Sequence, residues 1–101
     1  MTPEECAAEL ENYRDRIDVI DRRIVELLNE RARAVEVIGQ VKVQARMRVY
    51  EPRREDAVYT NLAQANTGPL TDDSLKRIYE RVIDEMRALQ RAHAGGDEPA
   101  A

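Results

Sequence analysis

The sequence predicts an all-α protein: a three-helix chain with a very long first helix, closing with a second copy as an intertwined six-helix homodimer. Three observations lead there. The chain of 101 residues is 43% hydrophobic and 36% charged, with four Tyr and neither Trp nor Phe, and such a composition, rich in Ala, Leu, Glu and Arg, favours helices over sheets. Counting from Leu10 in alternating steps of three and four gives Leu10, Tyr13, Ile17, Ile20, Ile24, Leu27, Arg31, Ala34, Ile38 and Val41, the seam of one long helix packed along one face. That helix is also too long for a lone chain. About 40 residues at roughly 1.5 Å each make a rod of about 60 Å, whereas a compact domain of this size has a radius of gyration of ~13 Å. Two shorter helices cannot cover such a seam, and a second copy can.

Each element has its own signal. Thr2-Pro3-Glu4-Glu5 is a helix start, with a Thr cap, Pro at the first helical position and Glu three after the cap. The periodic pattern then runs to about Val43, a helix over about 3–43, with Gly39 its only weak residue. A helical hairpin broken near Gly39 is the alternative, but no Pro or turn cluster interrupts the pattern there. Gln44 to Glu51 reads as a linker. Pro52 opens a second helix, about 52–66, with Val58, Leu62 and Ala65 on one face. Asn66-Thr67-Gly68-Pro69 stops it, because Gly suits the left-handed position after a helix and Pro cannot continue one. Thr71 with Asp72 and Asp73 opens the third helix, about 71–93, whose stripe is Leu75, Ile78, Tyr79, Val82, Ile83, Met86 and Leu89. Residues 1–93 thus form one helical domain, and 94–101 (AGGDEPAA) has no apolar content and is expected to be disordered.

The bulk numbers exclude several classes of function. The formal net charge is −4, which disfavours a general nucleic-acid binder. The charge is uneven, however. From Arg31 to Arg54 seven Lys and Arg face only Glu36 and Glu51, so an acidic chain has a cationic middle, suited to a confined anion. The one cysteine, Cys6, cannot form an intrachain disulfide, which is consistent with a reducing compartment. No apolar run approaches ~18 residues, so no membrane span is expected. The N-terminus lacks the pattern of a secretory signal, and the expected location is the cytoplasm.

Arg31 is the residue that stands out, because it occupies a seam position where a hydrophobic side chain belongs. A buried arginine without a partner costs several kcal/mol, so it is expected to meet an anion. Lys42 lies on the neighbouring stripe Arg31, Val35, Ile38, Lys42, eleven residues on and roughly 16 Å along the axis. A small anion fits between two such long side chains. Arg14 is on the same side but roughly 25 Å from Arg31. It can join the same site only in an intertwined dimer; otherwise it pairs with Asp18 or a nearby Glu on a solvated face. Arg53, Arg54 and Glu55 fall in the first turn of the second helix, whose N–H groups and positive dipole end favour an anion or a hydroxyl oxygen, although a solvated charge run reads the same way. Gln90, four after Met86 and beside Leu89, offers a neutral amide donor at the edge of the third stripe. His93, the only His, lies near the chain end, so no metal is expected. Without a nucleophile–base pair, a Gly-rich phosphate loop or a metal cluster, covalent, metal and nucleotide chemistry lack support. Cations, a carboxylate and an amide suit a polyanionic substrate that needs only positioning and electrostatic stabilisation.

In order and spacing, YRDRIDVID (13–21), LLNERA (27–32), the Gly39-Gln40-Val41-Lys42 run, YEPRRE (50–55) and ALQ (88–90) resemble the all-helical, type II class of chorismate mutases. The resemblance covers about residues 10 to 91. It implies a three-helix chain, an intertwined homodimer with two equivalent sites, and cofactor-free conversion of chorismate to prephenate, the committed step toward phenylalanine and tyrosine. It also implies roles. Arg14 of the partner subunit, Arg31 and Arg54 would bind the substrate carboxylates. Lys42 would bind a carboxylate and the ether oxygen, and Gln90 would donate to that same oxygen. Glu55 would accept from the ring hydroxyl, with the backbone of Glu51 nearby. Catalysis would rest on Lys42, Gln90 and Arg31. The chain departs from the family at Met86, where many members carry a small hydroxyl residue, so one carboxylate contact is lost or supplied by a neighbour. An isochorismate pyruvate-lyase on the same fold is the nearest rival. A non-catalytic helical dimerisation or regulatory module is the rival from another class. No cofactor, nucleic acid or membrane partner is expected; a partner enzyme of the same pathway is an open alternative that the sequence does not decide.

Overall fold

The computed structural model describes residues 1–94, with side chains through Ala92. Three helices follow one another, α1 (Pro3–Ala45), α2 (Pro52–Ala65) and α3 (Asp72–Ala94), and no strand occurs among the described residues. The protein is all-α. The segment expected to be disordered, 94–101, lies outside the described residues apart from Ala94, which closes α3, and so does the side chain of His93. No helix among the described residues is long and apolar enough to cross a membrane. The chain divides into two compact units, Met1–Arg33 and Ala34 onward.

The first unit is the N-terminal part of α1. Thr2 caps it: its hydroxyl oxygen accepts from the Glu5 N–H at 3.1 Å, its carbonyl accepts from the Cys6 N–H at 2.9 Å, and Glu4 and Glu5 face the positive end of the helix dipole. Leu10, Tyr13, Ile17, Ile20, Ile24 and Leu27 are all exposed, from 47% at Ile24 to 60% at Leu27. Arg31, expected to be buried on this seam, is only half-buried. The reason is geometric: a single helix has no second layer of its own under which to bury a side chain.

The second unit contains the end of α1, the linker, α2 and α3. Its core is Val35, Val49, Ile83 and Met86, with Gly39 and Lys42 buried beside them. Helix α1 passes through Gly39 without a break, so the hairpin alternative does not occur. A Cβ at position 39 would lie 3.7 Å from Cγ of Gln90, an ordinary van der Waals contact, so α3 runs beside α1 at this point with room for a methyl group.

The linker starts two residues later than expected, because Gln44 and Ala45 are helical. Arg46 takes a left-handed conformation at φ 56. Its N–H donates to the Val43 carbonyl at 3.2 Å, and the Met47 N–H donates to the Lys42 carbonyl at 2.8 Å. This is a Schellman turn built on arginine instead of glycine, and it satisfies the last carbonyls of α1.

Pro52 occupies the first turn of α2, and Glu51 at the cap makes no side-chain cap bond. The far end stops at Asn66, whose side-chain amide donates to the Leu70 carbonyl at 2.9 Å and to Asp72 Oδ1 at 2.7 Å. Its amide oxygen accepts from the Gly68 N–H at 3.0 Å. Gly68 is left-handed, at φ 78, but it lies inside an Asn-organised turn and not directly after the helix. Thr71 caps α3 by accepting from the Ser74 N–H at 3.1 Å. Helices α2 and α3 pack together, with Val58 and Leu62 half-buried on α2 and Ile83 and Met86 buried on α3. Two residues of the expected faces do not join in: Ala65 is exposed in the last turn of α2, and Ile78, about 140° around the helix from Ile83, is exposed.

Candidate active site

Lys42 organises the second unit. It is 7% exposed. Its Nζ donates to the Val49 carbonyl at 2.8 Å and to Oε1 of Gln90 at 3.1 Å, and it forms an ion pair with Oε1 of Glu51 at 2.9 Å. An ammonium has three N–H donors, and each has an acceptor. Because lysine only donates, Gln90 must turn its amide oxygen toward it. The Gln90 nitrogen, with two N–H donors, is then the end left for another partner. Local sequence sets up each contact. Lys42 is in the last turn of α1, where the dipole favours a cation. Gly39 one turn earlier lies against Gln90, and the turn at Arg46 sends the linker back so that Val49 and Glu51 reach the ammonium. An uncompensated charge at this depth costs several kcal/mol, which the Glu51 carboxylate offsets.

A second ionic group lies one turn further along α2. Arg87 of α3 donates from NH2 to Oε2 of Glu55 at 2.5 Å, and its guanidinium carbon is 4.8 Å from the centroid of the Tyr50 ring. The pair is mostly buried, with side chains 23% and 21% exposed. Nε of Arg87 is buried and makes no hydrogen bond within the protein. Next along α2 is Tyr59, with Lys76 5.3 Å from its ring centroid. Burial raises the Tyr59 pKa above 10.0, helped by the charges of Glu80, Glu55 and Asp84 and opposed by Arg87.

The structure therefore brings Lys42, Glu51 and Gln90 into direct contact and places Glu55 on the adjacent turn. Arg54 and Arg53 are exposed in the first turn of α2. Met86 is buried in the core, where its thioether has no proton to donate. Arg14, exposed, and Arg31, half-buried, belong to the first unit. Sequence reasoning missed Arg87, Tyr50, the Val49 carbonyl and the side chain of Glu51. One signal for Arg87 was available: Ile83, Arg87 and Gln90 follow an i, i+4, i+7 spacing, so they share a face.

The family model for chorismate mutase type II matches residues 13–91. The bifunctional chorismate mutase/prephenate dehydratase of Neisseria gonorrhoeae is 42% identical over 79 residues, covering 78% of this chain and 21% of that protein. The chain thus spans about a fifth of the length of this relative. The chorismate mutase of Methanocaldococcus jannaschii is 26% identical over 85 residues, covering 83% of this chain and 86% of that protein. Among solved structures, the Helicobacter pylori chorismate mutase in complex with prephenate superposes with a TM-score of 0.81 at 27% identity, over 87% of this chain and 96% of that one. The matched stretch takes in Lys42, Glu51, Arg54, Glu55, Met86 and Gln90 together with Arg14 and Arg31, and the chain belongs to the chorismate mutase type II family.

Proposed function

We propose that this chain converts chorismate to prephenate. The observation that carries the reading is the buried Lys42, locked between Val49, Glu51 and Gln90. A Claisen rearrangement is unimolecular and needs no nucleophile or proton transfer. As the C–O bond breaks, negative charge grows on the ether oxygen. Lys42 and the amide nitrogen of Gln90 are donors fixed before the reaction, so they can stabilise that charge without reorganising. With all three N–H groups engaged, Lys42 serves the substrate by sharing a donor, most readily the one on Glu51, whose side chain is 39% exposed. Arg31, Arg54 and Arg14 of the partner subunit bind the carboxylates and hold the dianion in its compact reactive shape. Glu55 accepts from the ring hydroxyl, with the Glu51 backbone beside it, and Met86 packs the wall of the site.

The active form is a homodimer. The exposed row Leu10, Tyr13, Ile17, Ile20, Ile24 and Leu27 is an apolar surface that calls for a matching face, and a second copy supplies one with twofold symmetry. We place the reaction in the cytoplasm, in keeping with a free, exposed Cys6, and expect a partner among enzymes of the same pathway. Mixing an Arg14→Ala chain with an Arg31→Ala chain should regenerate one intact site per heterodimer; a dead mixture in which the heterodimer forms would exclude the shared site.

The direct test is the purified protein incubated with chorismate, following the loss of its ultraviolet absorbance and the appearance of prephenate. Release of pyruvate from isochorismate with chorismate untouched would replace this reading with the lyase.

A further inference from the structure

We propose that Arg87 is a positioning residue that sets the preference for a hydroxyl-bearing ring: it holds the Glu55 carboxylate by one oxygen and leaves the other to the substrate. The proposal rests on the reading that Glu55 accepts from the ring hydroxyl.

The geometry of the pair argues for it. Arg87 reaches Glu55 through NH2 and Oε2, and its Nε has no partner. The side-on fork, in which Nε and NH2 together take both carboxylate oxygens, is therefore not formed, and Oε1 of Glu55 remains an acceptor. Tyr50 holds the guanidinium from a second side, so Arg87 is fixed by two contacts. The pair is mostly buried, unlike the solvated surface pairs that contribute little. A guanidinium kept for stability alone would gain from a partner at Nε.

Charge distribution supplies the second argument. Glu51 is the extended cap of α2 and Glu55 lies in its first turn. Each has its own cation: Lys42 for Glu51 and Arg87 for Glu55. On α3 the two binding groups, Gln90 and Arg87, are also about one turn apart. The result is two parallel rungs. Arg87 gives the Glu55 carboxylate a cation of its own, and Glu51 is the carboxylate that pairs with Lys42.

The test compares chorismate with an analogue whose ring hydroxyl is replaced by hydrogen, each assayed as substrate. Arg87→Met should raise KM for chorismate about tenfold, the worth of one charge-assisted hydrogen bond, and leave KM for the analogue unchanged. Arg87→Lys should recover most of the loss. In a Glu55→Gln background, Arg87→Met should add nothing further, the signature of two residues acting as a unit. Equal losses on both substrates, or none on chorismate, would overturn the proposal, because a structural role lowers the melting temperature without discriminating between rings. If Arg87→Met does not fold, Arg87→Lys carries the test through its smaller, still hydroxyl-dependent rise in KM. Wild-type protein that leaves chorismate unchanged would instead defeat the functional reading itself, and that arm is read before any variant.

Discussion

In Met1–Arg33 the apolar residues from Leu10 to Leu27 are about half exposed, whereas from Ala34 onward Val35, Val49, Ile83 and Met86 are buried around a lysine. Both stretches have helical sequence periodicity, and both contain cations assigned to the same substrate. They differ in what completes them. The second unit folds back on itself, and its buried charges pair within the chain: Lys42 with Glu51 and Gln90, Glu55 with Arg87. The first is a single helix with nothing of its own to fold against. A helix gains most of its stability from tertiary packing of its apolar face, and it is on this stretch that the proposed dimer rests, while the other carries a preorganised polar cluster.

The largest test of that contrast is Ile20→Asp. A carboxylate on the seam loses the apolar burial and adds an unpaired charge, each a matter of roughly several kcal/mol per copy, doubled by symmetry. Sedimentation equilibrium at micromolar concentration should give the 11.6 kDa monomer in place of a dimer. A variant that stays dimeric would show that this row is not the interface.

Lys42→Met tests the other half. The apolar stem is kept and the charge removed, so kcat should fall by about a hundredfold or more, roughly 3–4 kcal/mol by analogy with lost oxyanion donors, while the dimer mass is unchanged. A KM effect with kcat intact would mean that Lys42 only binds substrate.

Gln90→Glu sharpens the comparison through pH. A carboxylate at position 90 repels the growing charge when ionised and donates when protonated, so the variant should be slow at neutral pH and recover in acid. The structure adds a shift: Lys42 contacts the oxygen of residue 90 at 3.1 Å and would favour the ionised form, moving the recovery below the ordinary glutamate pKa of about 4.3. Full activity at neutral pH would show that position 90 does not face the breaking bond.

The smallest effect is expected at Arg46. A non-glycine residue in the left-handed region costs about 1–2 kcal/mol, so Arg46→Gly should stabilise the second unit by up to about 1 kcal/mol after the added chain entropy of glycine. Thermal unfolding would register this, and a lower melting temperature would mean that the arginine side chain contributes more than its backbone costs.

Much of this was legible in the sequence, for identifiable reasons. The caps at Thr2 and Thr71, Pro52 at a helix start and the seam from Leu10 to Val41 are local signals, and local chemistry dictates them. Lys42 with Gln90 was legible through the family motif. The end of α1 was harder, because the left-handed signal is normally glycine and here the residue is Arg46. The Lys42–Glu51 pair depends on the linker's return, which no periodicity encodes. Arg87 was not singled out because its neighbour Met86 carried the stripe, and only packing between α2 and α3 reveals its partner. Arg31 was expected to be buried, but burial at the seam is a property of whatever covers it.

Lys42 takes one of its three acceptors from the linker, at the carbonyl of Val49. Connecting loops ordinarily tolerate insertions at little entropic cost. Here a residue added between Arg46 and Val49 would shift that carbonyl out of register with Nζ and drag Glu51 with it. The six residues between Ala45 and Pro52 therefore act as a ruler: their number, more than their identity, fixes the ammonium to which the breaking bond is assigned. A change in loop length, ordinarily the most permissible edit to a helical protein, would register here as a defect in chemistry.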